Sequence, residues 1–593
     1  MTDYNPPLKE ILFNIHELSG LQRVLELEAF AGVDADTVDQ VVEEAGKFAR
    51  DVMAPLNIPG DQAGCRVENG AALPPDGFAG IYEQFVANGW QTLAHSPQYD
   101  GMGLPEIVGQ AASETWQSAN MAYSLCPLLT NGAINAIHAH ASGDLRNTYL
   151  PKMVSGEWAG TMNLTEPQAG SDLAAVTTRA VPDGDCYRIS GTKIFITWGD
   201  QPYSENIVHL VLARLPDAPE GVRGMSLFLV PKFLVNHDGS IGDRNEVQVA
   251  SVEHKLGIHG SPTCVMTFGD GDGAVGYLVG ERNKGLACMF TMMNHARIEV
   301  GIQGLSISER AYQLAKSWAL DRVQGGAPGH QGRVTIVHHP DVRRMLMVMK
   351  SQIEAMRAAA YFTAGQFDLS RHASDDTERA AADRRMAVLT PIVKGWMSEV
   401  AQELTSLGVQ IHGGMGYVEE TGAAQYMRDA RILTIYEGTT GIQANDFVGR
   451  KVLFDEGTGI KSLLTEMREL AVATSNDERL AGIGAALAAG VDHLQAGVTW
   501  LLKNAPGDRH VPGAASVNLL MLAGTVVGGW QMARAACAVT NDSSGVSGDA
   551  DFCAAKLMTA EFYAQHIMPR AGAYLKAATA GTQPLMEMPE DSF

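Results

Sequence analysis

QIHGGMGYVEETGAAQYMRDARILTIYEGTTGIQ, residues 410–443, places one carboxylate in an unusual setting. Glu437 follows an apolar, helix-like run that ends at Tyr436, and it precedes a turn of small residues, Gly438 to Gly441. A carboxylate at the end of a buried helix with small neighbours can face a cavity, where burial raises its pKa toward the working range of a general base. The alternative interpretation is a glutamate at a helix C-terminus that points into solvent.

Two stretches nearer the N-terminus supply hydrogen-bond donors and a flat face. In MNLTEPQAGSDL, residues 162–173, a proline fixes one turn and a glycine frees the next, so that hydroxyl and backbone N–H groups can bond to the polar edge of a ring. In KIFITWGD, residues 193–200, Phe195 offers a flat surface and Thr197 a hydroxyl. The two together suit one side of a flavin, whereas either alone is also explained by a β-turn or an ordinary core aromatic.

These three stretches, in this order, resemble the signature segments of the acyl-CoA dehydrogenase family. The resemblance implies an α+β multidomain fold, in which an N-terminal helical domain, a central antiparallel β domain and a four-helix bundle precede an extra C-terminal helical domain. It also implies an FAD enzyme that converts an acyl-CoA thioester to a trans-2-enoyl-CoA. In that reaction Glu437 removes the α-proton, the β-hydrogen leaves as a hydride to the flavin, and the Glu437 backbone N–H polarises the thioester carbonyl.

The resemblance also implies a role for each matching position. The residues it implies for FAD binding are Met162, Leu164, Thr165, Gly170, Ser171, Phe195, Thr197, Arg322, Gln410, Gly413, Gly414, Thr439 and Gly441. Those it implies for substrate binding are Ser171, Arg297, Tyr436 and Gly438. No metal is expected, and an electron-transferring flavoprotein is the expected electron acceptor.

The resemblance implies binding roles for two arginines on one helical segment. By the resemblance, Arg297 lines the acyl-CoA channel, and Arg322 reaches the FAD pyrophosphate of a neighbouring subunit, which implies a homodimer or a dimer of dimers. The planar guanidinium suits a pyrophosphate because it forms paired, charge-assisted hydrogen bonds. The alternative for each arginine is a solvated charge on a helix face.

The chain departs from the family pattern beside these arginines. The segment 321–342, which includes Arg322, reads DRVQGGAPGHQGRVTIVHHPDV. It has no Phe, and His339 stands near the position of the family's usual Gln. The resemblance therefore does not extend to the flavin contacts of this segment. Some relatives place the catalytic acid just before the first arginine. In this chain that position holds Ala296, which is not an acid, and Glu299 would point to a different side of the helix. Neither residue therefore replaces Glu437 as the candidate base.

Periodicity and composition predict four domains. Residues 1–157 are predicted to be helical, with breaks at 54–61, at 95–105 and at Cys126-Pro127. Residues 158–282 are predicted to form an antiparallel sheet or barrel of about seven strands. Residues 283–455 are predicted to form a helical bundle with helices at 285–323, 340–369, 376–406 and 422–436. Residues 456–593 are predicted to be an additional helical domain with a polar loop at 541–550.

One motif in the predicted β domain points to a different cofactor. GDGAVG, residues 271–276, matches the pattern GxGxxG after a strand-like run. A dinucleotide site also needs a helix that opens at the third glycine, and YLVGERNKGL follows instead. We therefore interpret these glycines as a hairpin turn and predict no nicotinamide cofactor.

Charge and cysteine content narrow the function classes. The formal net charge of −23 disfavours nucleic acid and anionic membrane as partners. Seven scattered cysteines without a CxxC pair and an N-terminus without a signal-like pattern predict a cytoplasmic protein. The uncharged stretch 511–533 contains proline and glycines, and we interpret it as a buried bundle helix rather than a membrane span.

The sequence is compatible with more than one acyl chain, and three other interpretations of its function were considered. The extension and the opening ILFNIHEL resemble the large members of the family, which leaves a 3-methylthiopropionyl group or a medium- or long-chain fatty acyl group as substrate. An acyl-CoA oxidase would share the motifs. A non-dehydrogenating, DNA-associated relative would carry a basic extension, but residues 456–593 hold 14 acids and 9 Lys or Arg, a net charge of −5. We do not expect a purely structural protein to carry Glu437 together with two motifs that suit a flavin.

Overall fold

The computed structural model describes residues 4–541 and 549–593 of the chain. The chain divides into two compact units. The helical unit comprises residues 1–43, 105–114 and 300–593, and the β unit comprises residues 44–104 and 115–299. Part of the predicted loop at 541–550, residues 542–548, lies outside the described residues.

The β unit contains the strands of the chain. They are β1 (Arg66–Glu68), β2 (Ala71–Leu73), β3 (Trp158–Asn163), β4 (Arg179–Asp183), β5 (Cys186–Thr197), β6 (Asn206–Arg214), β7 (Met225–Pro231), β8 (Phe233–Val235), β9 (Ile241–Arg244), β10 (Val247–Val252), β11 (Thr263–Phe268) and β12 (Ala274–Val279). The main sheet has eight strands in the order β10-β11-β5-β12-β7-β6-β3, with β4 paired to β5 and β6. The predicted β domain is therefore present, and its main sheet has eight strands where about seven were predicted.

The sheet is not purely antiparallel, which corrects one expectation. β3 runs parallel to β6, as does the single pair that joins β4 to β6. β6 and β7 are buried almost throughout, so both of their faces are covered and their sequences read as continuous apolar runs. Ile189, Val211 and Phe228 lie in the core that these strands build.

The glycines of GDGAVG do not form the predicted hairpin. β11 and β12, on either side of them, both pair with β5, so the glycines connect two strands along the same partner. The backbone N–H groups of Gly271, Asp272 and Gly273 donate to the carboxylate of Glu246 at 3.0, 3.0 and 3.1 Å. These hydrogen bonds lower the pKa of Glu246. The third glycine of the motif lies in β12 and opens no helix, as predicted.

The helices account for the rest of both units. They are α1 (Leu8–Phe13), α2 (Leu21–Leu25), α3 (Ala35–Phe48), α4 (Asn57–Ala63), α5 (Phe78–Ala87), α6 (Glu106–Ala119), α7 (Met121–His140), α8 (Gly143–Val154), α9 (Gly285–Asp321), α10 (Pro340–His372), α11 (Asp376–His412), α12 (Ala423–Ala430), α13 (Thr440–Val448), α14 (Thr458–Ser475), α15 (Ala481–Asn504), α16 (Val511–Thr540), α17 (Ala550–Phe562), α18 (Arg570–Ala578) and α19 (Gln583–Met586). The long periodic segments predicted after residue 283 are confirmed as α9, α10 and α11.

Two predicted boundaries, at Cys126-Pro127 and at 422–436, are wrong, and so is the break predicted at 54–61, where a 3-10 turn, Ala54–Leu56, leads directly into α4. Cys126-Pro127 does not break the chain, because Pro127 lies inside α7, where the surrounding residues are buried and packing maintains the helix. The helix predicted at 422–436 ends at Ala430 and is followed by a 3-10 turn, Arg431–Thr434. Tertiary packing overrides the local signal in the first case, and a tighter turn replaces α-helix in the second.

α16 is the central helix of the C-terminal extension. It is the one helix among the described residues that is long and apolar enough to cross a membrane, and 67% of its most apolar window is buried inside the protein. Its glycines allow close approach to α11. A Cβ atom on Gly524 would lie 2.2 Å from Cγ of Trp396, a side chain that is only 1% exposed.

We expect Gly524→Ala to destabilise the helical unit by about 1–3 kcal/mol, because the new methyl group overpacks the contact with Trp396. Gly513→Ala is the matched control in the same helix, since a Cβ atom there meets nothing within 4 Å. The control should stabilise the protein by about 0.5 kcal/mol through higher helix propensity. Urea unfolding of both variants measures the difference, and equal stabilities would contradict the close packing of α16 on α11.

Candidate active site

Glu437 lies in an irregular turn rather than at the end of an α-helix. The turn, residues 435–439, follows the 3-10 segment Arg431–Thr434 and leads into α13. Glu437 has φ +55° and Gly438 has φ +87°, so two consecutive residues adopt the left-handed conformation. A glutamate rarely adopts this conformation, and such residues concentrate where the surrounding structure holds them for a function. The Thr439 hydroxyl begins α13 by accepting the N–H of Ile442 at 3.2 Å.

Two buried side chains hold this turn through its carbonyl groups. The Lys394 ammonium on α11 donates to the carbonyl of Gly438 at 2.7 Å, and the Gln443 amide on α13 donates to the carbonyl of Glu437 at 3.1 Å. Both side chains are fully buried. A side chain at Gly438 would place its Cβ atom 2.7 Å from Nε2 of Gln443, so only glycine fits there. Sequence analysis missed Lys394, although a single charge inside the apolar run LTPIVKGWM is a signal that could have found it.

Further hydrogen bonds fix the two residues that flank the turn. The Tyr436 hydroxyl donates to Oε1 of Gln303 on α9, and the Thr440 hydroxyl donates to Oε1 of Glu399 at 2.6 Å. Burial and the charge of Glu437 raise the pKa of Tyr436, so its hydroxyl keeps its proton. Tyr436, Glu437 and Gly438 are each partly exposed.

In the β unit, one buried ion pair anchors the loop 162–173. The Glu166 carboxylate is 2% exposed and accepts from Nζ of Lys193 at 2.8 Å and from the backbone N–H groups of Thr177 and Thr178 at 2.7 and 3.0 Å. Burial alone would raise the pKa of Glu166, but Lys193 and these hydrogen bonds lower it to about 2. The loop also bonds to β5, because the carbonyl of Thr165 accepts the N–H of Ile194 at 2.9 Å.

Phe195 is displayed by a bulge in β5. Ile194 and Phe195 together oppose the single residue Val265, since Lys193 pairs with Met266 and Ile196 with Cys264. Phe195 adopts φ +59° and is 58% exposed, although it is a large aromatic within a strand. A bulge of this kind re-aims a side chain, and here it turns a flat ring outward next to Ile194, which bonds to Thr165 of the loop 162–173.

The other predicted residues of the β unit are distributed around this loop. Met162 lies in β3, Leu164 is buried, Gly170 and Ser171 are exposed in the loop, and Thr197 ends β5. Arg297 on α9 is 4% exposed, so it is not the solvated charge of the alternative interpretation. Its guanidinium donates to Oδ1 of Asn294 at 3.3 Å.

The remaining predicted residues belong to the helical unit. Gln410, Gly413 and Gly414 are exposed around the C-terminal end of α11, and Gly413 ends that helix with φ +63°. Thr439 and Gly441 lie at the start of α13 and are partly exposed.

Arg322 and the rest of the segment 321–342, whose sequence differs from the family pattern, also lie in the helical unit. Arg322 is exposed, 5.9 Å from the ring centre of Trp318. The segment closes on itself, because Gln324 and Val334 bond through their backbones and the His339 ring bonds to the carbonyl of Gln324 at 2.7 Å.

Comparison with known proteins decides the family. Models of the acyl-CoA dehydrogenase N-terminal, middle and C-terminal domains match residues 35–157, 161–270 and 283–452, and an acetyl-CoA dehydrogenase C-terminal-like model matches residues 463–589. The chain belongs to the acyl-CoA dehydrogenase family. The predicted α+β multidomain fold with an extra C-terminal helical domain is thereby confirmed. As a family member, the chain is an oxidoreductase that acts on the CH–CH bond of acyl-CoA thioesters.

Relatives extend over the whole chain of this acyl-CoA dehydrogenase. The chain is 48% identical to 3-methylmercaptopropionyl-CoA dehydrogenase of Ruegeria pomeroyi, over 96% of the chain and 97% of that protein. It is 34% identical to a butyryl-CoA dehydrogenase of Syntrophomonas wolfei, over 98% of each. A solved acyl-CoA dehydrogenase from Bacillus anthracis, complexed with FAD, has a TM-score of 0.74 at 20% identity over 95% of this chain and 91% of its own, which shows the same fold.

We expect Glu166→Gln to cost about 3–5 kcal/mol of stability, because it leaves the buried Lys193 ammonium without a charged partner. The folded-state pKa of Glu166 is lowered, so its contribution is present above the ordinary value of 4.5 and is lost as the pH falls toward 2. The stability difference between wild type and variant should therefore be constant near neutral pH and narrow below 4.5. Urea unfolding followed by tryptophan fluorescence measures it.

Glu220→Gln is the control for this measurement, since Glu220 is an exposed acid of the β unit. It should change stability by less than about 0.5 kcal/mol at every pH. A Glu166→Gln variant as stable as this control would contradict the anchoring of the loop by the buried ion pair.

Proposed function

We propose that Glu437 is the catalytic base of an FAD-dependent acyl-CoA dehydrogenase. The observation that carries the proposal is the left-handed turn at Glu437, which fully buried Lys394 and Gln443 hold through its carbonyl groups while Glu437 itself stays partly exposed. Proton abstraction from a bound thioester requires a carboxylate that is fixed in position and accessible to the substrate. The order of the motifs along the chain, which the family models also follow, supports the same role.

The residues of the β unit fit a flavin. The loop 162–173 is rigidly anchored by Glu166, yet it leaves Gly170 and Ser171 exposed, and the bulge in β5 presents the Phe195 ring beside it. FAD, when bound, accepts the hydride from the β-carbon of the substrate. We propose that the residues that hold it are Met162, Leu164, Thr165, Gly170, Ser171, Phe195, Thr197, Arg322, Gln410, Gly413, Gly414, Thr439 and Gly441.

The protein's own residues then carry the rest of the reaction. Glu437 takes the α-proton, and its backbone N–H donates to the thioester carbonyl, where negative charge develops. Tyr436 and Gly438 flank the acyl group, and Arg297 and Ser171 contribute to the acyl-CoA site. The four predicted domains, 1–157, 158–282, 283–455 and 456–593, remain part of this proposal and are supported by the ranges that the family models match.

We propose 3-methylthiopropionyl-CoA as the substrate, with methylthioacryloyl-CoA as the product. The support is the 48% identity to the 3-methylmercaptopropionyl-CoA dehydrogenase, against 34% to the butyryl-CoA dehydrogenase. A medium- or long-chain fatty acyl-CoA is the rival substrate. An electron-transferring flavoprotein as acceptor, a cytoplasmic location and a homodimer in which Arg322 reaches the neighbour's FAD complete the proposal.

Anaerobic mixing of the purified enzyme with a panel of thioesters tests the substrate. The panel contains 3-methylthiopropionyl-, butyryl-, octanoyl- and palmitoyl-CoA, and bleaching of the flavin absorbance is followed. We expect the fastest bleaching with 3-methylthiopropionyl-CoA. Faster bleaching with octanoyl- or palmitoyl-CoA would assign the enzyme to fatty acid oxidation instead, and bleaching with none would remove the dehydrogenase proposal.

We expect Glu437→Gln to retain FAD and its visible spectrum but to lose flavin reduction by at least about 100-fold, because the amide does not accept the α-proton. Glu456→Gln is a matched control. Glu456 has the same φ of +55° and is also followed by a left-handed glycine, but it is exposed in a different turn. A Glu437→Gln variant that reduces its flavin at the rate of the Glu456→Gln enzyme would show that the base lies elsewhere.

A further inference from the structure

We infer that Lys394 is a positioning residue for the catalytic carboxylate and that the C-terminal extension holds it in place. The inference rests on the proposed role of Glu437 and deepens it. Lys394 lies on α11, far in sequence from the turn, and its ammonium bonds to the carbonyl of Gly438, the residue next to the base. Together with Gln443 it forms a pair that we call the carbonyl clamp.

The carbonyl clamp acts on two consecutive peptide groups. Gln443 bonds to the carbonyl of Glu437 at 3.1 Å and lies 3.4 Å from that of Gly438, which Lys394 binds at 2.7 Å. The orientation of these carbonyls is set by the backbone angles of the left-handed residues, so fixing the carbonyls fixes the direction of the Glu437 side chain. The clamp therefore opposes relaxation of the turn to ordinary backbone angles.

The extension closes the space behind the carbonyl clamp. Gly395 follows Lys394, and a Cβ atom there would lie 2.4 Å from Cδ2 of Leu520 on α16 and 3.3 Å from Cβ of Gln443. Next along α11, Trp396 fills the space left by Gly524 of α16. The extension helix thus packs on α11 at the two residues that follow Lys394, and it keeps the ammonium of Lys394 and the amide of Gln443 out of water. This assigns a role in the reaction to residues far beyond the catalytic motif.

The test compares three variants of the full-length, FAD-loaded enzyme. Lys394→Met removes the charge and the hydrogen bond at similar volume, and Lys394→Arg retains both. Lys556→Met is the control, because Lys556 is a 2% exposed lysine of the extension that pairs with Glu10 and Glu354 instead of the turn. Flavin reduction by the best thioester of the panel is measured, and amide hydrogen exchange is measured for a peptide covering residues 435–443.

We expect Lys394→Met to slow flavin reduction about 100-fold, as small misplacements of a reacting group do. Exchange in 435–443 should accelerate about tenfold, the equivalent of one charged hydrogen bond. Lys394→Arg should restore most of the rate, and Lys556→Met should lower stability without either change.

Two results would overturn the inference. One is unchanged exchange in 435–443 for Lys394→Met, a readout that needs no substrate and so stands even if no thioester reduces the wild-type flavin. The other is a Lys394→Met enzyme whose rate and exchange match those of Lys556→Met, which would reduce Lys394 to a structural lysine. Failure of the wild type to react with any thioester would instead count against the proposed function.

Discussion

The hydrogen bond between the buried ammonium of Lys394 and the carbonyl of Gly438 is the constraint on which the turn at Glu437 depends. A flexible carboxylate loses much of its advantage as a base, because each approach to the substrate costs conformational entropy. A glutamate in left-handed backbone is rigid only while its surroundings maintain that conformation. α11 supplies the lysine, α13 supplies Gln443, and α16 packs against the glycine beside Lys394, so three helices converge on one turn.

In the β unit, a buried ion pair holds a loop in place, as the Lys394 hydrogen bond holds the turn at Glu437. Lys193 and Glu166 are both buried, and the carboxylate also satisfies backbone N–H groups of Thr177 and Thr178. The loop 162–173 can then present small exposed residues without collapsing onto the sheet. The bulge, Ile194 and Phe195, follows Lys193 directly, so the strand that carries the anchor also carries the exposed ring. In both units a buried lysine holds a turn or loop whose other residues are partly or fully exposed.

The sequence predicted the fold class through its motifs, but not the contacts that hold the turn at Glu437 or the loop 162–173. The site residues that the motifs indicate remain a prediction. Helical periodicity located α9, α10 and α11, since long amphipathic segments carry a strong signal. Local rules were wrong at Pro127, where burial of the whole helix outweighs the proline, and at 431–437, where a 3-10 turn and an irregular turn replace the predicted helix. Lys394 and the parallel pairing of β3 with β6 depend on residues distant in the chain, which periodicity along one segment does not detect.

The bonding of Glu246 to the backbone of Gly271, Asp272 and Gly273 has a consequence for ligand recognition. Successive N–H groups of this kind form a concave nest that attracts anions. Here the nest already holds an intramolecular ligand, and a tethered carboxylate competes at an effective concentration in the millimolar range or above. A free nucleotide phosphate would have to displace it. The N–H groups of this glycine motif are thus already bonded within the chain, which argues against a phosphate site at residues 271–276 even though they match the pattern GxGxxG.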